Sequence, residues 1–129
     1  MSYIKSFIVT FSVFMVIDLI WLGVIAKKLY QKYLGYIMTS NINWIAAIIF
    51  YIIFVVGMLY FVIMPALNDM SLKKAIISGM AYGFITYATY DLTNLATLKN
   101  WPIMITIIDI IWGTTLASLT TVISYFILK

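Results

Sequence analysis

Three carboxylates, Asp18, Asp91 and Asp109, sit inside long apolar segments of this 129-residue chain. A carboxylate near the centre of a membrane helix costs roughly 2.5 to 3.5 kcal/mol even on a lenient scale, so it needs a partner, a proton or a task. Their chemistry would be proton exchange, cation binding or general acid and base work. Other groups recur at helical spacing around them. Tyr87, Asp91 and Asn94 share one helix face by four-and-three spacing and present phenol, carboxylate and amide together. Trp21 and Trp112 each follow an aspartate by three positions, where an indole N–H could donate to the carboxylate of its own helix. The candidate ligand or proton site is therefore Asp18, Trp21, Tyr87, Asp91, Asn94, Asp109 and Trp112.

Missing residue types narrow the chemistry. Without cysteine there is no disulfide, thiolate nucleophile or zinc-thiolate site, and without histidine no imidazole base or common haem ligand. The expectation is a site with no cofactor and no metal. Whether the protein is an enzyme stays open, with the reading leaning against it, because no catalytic motif is recognised. All eight basic residues are lysines and lie near proposed helix ends, which points to lipid head groups and not to nucleic acid.

The elements that must hold these groups are membrane spans. The chain is 65% hydrophobic and only 9% charged, whereas soluble domains are about a quarter charged. About 20 apolar residues cross the hydrocarbon, and four segments qualify, at about residues 4–26, 42–64, 75–98 and 102–128. The expected fold is an all-α integral membrane protein, a single four-transmembrane-helix bundle over residues 1–129. Its first segment has too long an apolar run, and no small-residue cleavage site after it, for a signal peptide. Pro65 and Asn68-Asp69 are expected to mark the turn after the second span, and Lys99 to Pro102 a short hairpin between the last two.

Four crossings put both termini on one side, A, and the first and third connections on the other, B. Counting helical rise from side B puts Asp18 at roughly 13 Å and Asp91 and Asp109 at roughly 10 Å, a common layer. All four tryptophans fall in that half, Trp44 and Trp101 reading as an interfacial belt, while side A shows no comparable set. Four lysines fall on each side, so charge does not orient the protein. In the third segment Ala75, Gly79 and Gly83 form a small-residue track for close helix packing. Asp109, Gly113, Ala117 and Thr121 align similarly in the fourth, turning Asp109 towards the bundle.

Asp18 to Gly23, the run Tyr90-Asp91-Leu92-Thr93-Asn94-Leu95-Ala96-Thr97-Leu98 with Trp101-Pro102, and Asp109-Ile110-Ile111-Trp112-Gly113 resemble one family, the small bacterial membrane proteins called domain of unknown function 2177. The resemblance spans essentially the whole chain. It implies a four-helix protein of a bacterial-type cytoplasmic membrane with these aspartates as signature positions, and it brings no activity with it. Three function classes follow from the residues. The favoured one is proton-linked transport or small-ligand binding, with lipids around the protein and a homo-oligomer or another membrane protein as partner. The alternatives are a lipid-modifying membrane enzyme and a non-catalytic membrane subunit. In the favoured reading the three aspartates form one coupled site with Asp91 at its centre.

Overall fold

The computed structural model describes residues 2–129, which are helical with no strand. Helix α1 (Tyr3–Ile20) starts where the Ser2 hydroxyl accepts from the Lys5 N–H at 3.3 Å. One stripe of it is buried, Ser6, Thr10, Phe14 and Asp18 at four-residue spacing. At Trp21–Ile25 the helix widens into a π turn, closed by the Ala26 N–H on the Trp21 carbonyl at 2.7 Å. Helix α2 (Lys27–Leu34) follows with Lys27, Lys28, Gln31 and Lys32 exposed and Leu29, Tyr30, Tyr33 and Leu34 turned inward. Sequence reasoning took this stretch for a plain connection. Its hydrophobic side is only eight residues long, too brief for a periodicity to stand out against the polar loop beyond it.

Helix α3 (Trp44–Met58) is capped by Asn43, whose side chain accepts from the Ala46 N–H at 3.1 Å. A second π turn, Leu59–Ile63, leads into α4 (Met64–Asn68). Pro65 therefore lies inside a continuous rod and not in the turn after it, and the rod runs to Asn68 instead of ending at residue 64. Proline lacks an N–H and crowds the carbonyl four residues back. The π turn just before it, where the Met64 N–H reaches the Leu59 carbonyl, relieves that conflict without ending the helix.

Helices α5 (Leu72–Thr97) and α6 (Ile103–Leu128) form a hairpin whose turn places Asn100 at φ 62°, a left-handed conformation that asparagine tolerates. Three rods are both long and apolar enough to cross a membrane: Tyr3–Ile25, Trp44–Asn68 and Ile103–Leu128. Helix α5 has the length, 26 residues, but falls short in apolarity. Of the four segments expected to span, three therefore qualify by length and apolarity and α5 does not: it begins at Leu72 and so takes in Lys73 and Lys74, and it carries Asp91, Asn94 and several threonines besides.

Helices α5 and α6 make the most extensive packing in the molecule. A Cβ on Gly79 would lie 3.0 Å from the Thr121 hydroxyl, one on Gly83 2.2 Å from the Gly113 carbonyl oxygen, and one on Gly113 2.1 Å from the Tyr87 ring. Ala75, Gly79, Gly83, Tyr87 and Asp91 thus form one four-residue ladder that zips antiparallel onto Thr121, Ala117, Gly113 and Asp109. Such spacing lets two backbones approach at a crossing of the GxxxG kind. The apolar core of Phe14, Val55, Met58, Ile63 and Leu116 fills the half towards the chain termini. In the rod from Trp44 to Asn68, burial starts only at Phe54; none of Trp44 to Ile53 is buried. The rod is buried towards Asn68 and largely exposed towards Trp44, beside the aspartates.

Candidate functional site

Asp91 is fully buried, and neither carboxyl oxygen has a donor among the described residues. Its neighbour is the carboxyl of Asp109, one rung across the α5–α6 ladder. The small residues two and three rungs away bring the backbones close enough for the two acids to meet. Among the described residues no lysine neutralises this pair, and the ion pair found there, Lys74 with Asp69, is an exposed one at the start of α5.

Asp109 accepts a short hydrogen bond from the Tyr30 hydroxyl, and that hydroxyl accepts from the Trp21 indole N–H at 3.1 Å. Trp21 stacks on Trp112 with ring centroids 4.3 Å apart and planes within 8°. The Trp112 N–H in turn donates to Asp18 at 3.4 Å, and the Tyr51 phenol also faces Asp18. The indoles are therefore exchanged relative to the expectation, since neither bonds the aspartate of its own helix. An indole is long enough to span the gap between α1 and α6, and the offset-stacked pair gains more than a local contact along either helix. The two Asp-x-x-Trp motifs serve each other across an antiparallel helix pair.

The three aspartates thus belong to one run of contacts, but Asp91 stands at its closed end, not its centre. Tyr30 takes the middle place. Burial first, then the hydrogen bond it donates to Asp109, push its phenol above the usual tyrosine range. Tyr87 lies on the α5–α6 seam, its ring over Gly113. Asn94 is half-buried beside Tyr90 and does not line the cavity, so it stands apart from the other candidates. Trp101 is buried and donates to the Thr106 hydroxyl at 3.1 Å, which removes it from the expected interfacial belt; Trp44 is exposed.

Beside this run lies a cavity of about 390 Å³. Asp18, Asp109, Tyr30 and Tyr51 supply its polar wall, and Trp21, Trp112, Tyr87, Phe54 and Phe50 much of the rest. Its rim carries Leu22, Phe50 and Tyr90, all exposed, beside the largely exposed first half of α3. Tyr30 and Tyr51 escaped sequence reasoning. The available signal for Tyr30 was its place on the inward side of an otherwise lysine-rich turn of helix, and for Tyr51 only its separation of three residues from Phe54.

The half towards the termini is not purely apolar either, which corrects the expectation for side A. Thr10, Thr120, Thr121 and Ser124 are fully buried with hydroxyls that have no partner among the described residues. Other helical threonines, such as Thr86, Thr89 and Thr114, instead bond the carbonyl four residues back. Among the described residues no three potential ligands converge as a metal site.

The profile of the family described as "Predicted membrane protein (DUF2177)" matches residues 3–126. No curated protein and no solved structure matches the chain.

Proposed function

The chain belongs to that family of membrane proteins, and we propose that it is a four-helix membrane bundle that binds a small ligand from the bilayer, with Asp91 and Asp109 exchanging a proton as the ligand comes and goes. The observation that carries this reading is the cavity of about 390 Å³, whose walls include two carboxylates within a mostly aromatic lining. Ligand sites are typically concave, mostly apolar and furnished with a few convergent polar groups. A closed polar knot built only to fix helix register would need no such space.

Counting α5 as the fourth span rests on where its residues face. At 26 residues it extends about 39 Å, enough for the hydrocarbon. Asp91, Gly79 and Gly83 are hidden in the seam with α6, while Ile76, Ile77, Phe84, Ile85 and Leu92 are exposed, and the exposed Thr89 and Thr93 hydroxyls bond carbonyls four residues back in their own helix. Averaging along the helix mixes the two sides. Lipid would meet the apolar one.

The proton step follows from the pair itself. Two adjoining carboxyls in a dry interior with no counter-cation repel each other when both are ionised, and a single proton held between them, or a cation beside them, removes the conflict. Proton-linked transport would use that exchange. A lipid-modifying enzyme has less support, because no recognised catalytic motif accompanies the two acids.

Two experiments test the reading. Single cysteines at Ser2, Asn68 and Lys129 should label from one membrane face and those at Lys32 and Asn100 from the other; Asn68 and Asn100 on the same face would remove the four-span arrangement. A mixed panel of cationic, neutral and anionic aromatic compounds should include a class that raises the unfolding midpoint of the wild type. The same class should leave Thr86→Trp, which fills the cavity, unchanged. A panel without effect on the wild type would end the ligand reading.

A further inference from the structure

We propose that the ligand of this cavity is an amphipathic organic cation, an ammonium group on an apolar body, which enters sideways from the bilayer past the exposed half of α3. The inference rests on the ligand-binding reading and adds the chemical class.

Charge and shape converge on it. Asp18 and Asp109 line the cavity, and Asp91, fully buried with both oxygens unpartnered, backs Asp109. No lysine is among the lining residues, so an anion would face two carboxylates with no cationic partner. Most of the remaining wall is tryptophan, tyrosine and phenylalanine, with Leu22 and Thr86, and a cation that reaches a ring face there would be attracted by its quadrupole, most strongly where water is excluded. A bare inorganic cation would make little use of them, and three metal-ligating side chains do not converge among the described residues.

The route follows from the packing. Trp44 to Ile53 supply no fully buried residue, though Tyr51 packs half-buried against the core, and the cavity rim at Leu22, Phe50 and Tyr90 is exposed and largely apolar. A ligand arriving there would leave lipid, not water, and its apolar body would suffer no desolvation penalty on the way. Its charged head would exchange head-group surroundings for carboxylates and aromatic faces. A free organic cation and the ammonium of an ethanolamine lipid share this chemistry.

The test compares benzyltrimethylammonium with neopentylbenzene, which has the same shape without the charge, by titration against the purified protein in uncharged maltoside micelles. The cation should bind at least about tenfold more tightly, the discrimination expected of a desolvated contact with aromatic faces and carboxylates. Asp18→Asn and Asp109→Asn should each erase most of that preference while leaving binding of the neutral compound in place. Adding phosphatidylethanolamine to the micelles should weaken the apparent affinity if a lipid ammonium is the native occupant, whereas phosphatidylglycerol should not; indifference to both assigns the site to a free cation. Equal or tighter binding of neopentylbenzene would overturn the inference and leave the ligand-binding reading standing. Binding of neither compound would overturn the inference, and the panel of compounds then decides whether the broader reading falls with it.

Discussion

Adding one methyl group at Gly83 should separate the two acids that lie two rungs along the same seam. The new Cβ would stand 2.2 Å from the Gly113 carbonyl oxygen and 2.8 Å from the Ala117 Cβ. Ordinary contact needs roughly 3.5 Å, so α5 and α6 must part by about an ångström. The obstacle is backbone, which cannot rotate aside. Overpacking of this kind costs roughly 1 to 3 kcal/mol, against which alanine's better helix propensity returns about 0.5 to 1 kcal/mol. Gly83→Ala should therefore lose on the order of 1 to 2 kcal/mol. Gly79→Ala should lose less, because its Cβ would meet the Thr121 hydroxyl at 3.0 Å and the Thr121 Cβ at 3.1 Å, a tight fit and not an overlap with backbone. Gly23→Ala is the control, with nothing within 4 Å of the added atom. Unfolding by denaturing detergent in mixed micelles, followed by tryptophan fluorescence, ranks the three. Equal stability of Gly83→Ala and Gly23→Ala would refute the close α5–α6 seam.

Tyr30 gives an alkaline effect whose sign is fixed. Its folded-state ionisation is raised by burial and by Asp109, so its stabilising contribution is present below the ordinary phenol range near about 10 and is lost as pH climbs above it. Tyr30→Phe should flatten the stability profile there, as an alkaline unfolding series would show; an unchanged slope would count against the Tyr30 to Asp109 bond. The stacked indoles should give an exciton couplet in circular dichroism that disappears in either Trp21→Phe or Trp112→Phe, and its persistence in one of them would contradict the stack. Met70, exposed and at φ 49°, occupies a left-handed conformation costing roughly 1 kcal/mol. Met70→Gly should be as stable as the wild type or more so in the same detergent titration, and a clear loss would rule out that backbone strain.

The membrane character and the main helical segments were legible in the sequence because an apolar run of span length is what a helix needs to cross the hydrocarbon and far more than a buried core helix requires. Gly79 and Gly83 were legible as a packing track because four-residue spacing of small residues has a direct geometric meaning. Their register against α6 was not, since nothing local states that Gly83 meets Gly113 or that Asp91 meets Asp109. The exchanged tryptophans were hidden for a related reason: spacing within a helix predicts neighbours along it, whereas a long indole answers to the facing helix. Pro65 misled because a proline usually ends a helix, and the π turn that absorbs it leaves no compositional mark. Tyr30 and Tyr51 lay beyond reach because their roles depend on how α2 and α3 return to the bundle.

The central claim is that Asp91 and Asp109 act as one unit, and the infrared signal of their carboxyl groups tests it most directly. In the purified protein the carboxylic-acid band should respond to pH, and Asp91→Asn should change the pH dependence of what remains from Asp109, with Asp109→Asn doing the same for Asp91. The double variant should not equal the sum of the two single ones. A band from Asp109 that titrates identically with and without Asp91, and single variants whose effects simply add, would contradict the shared pair.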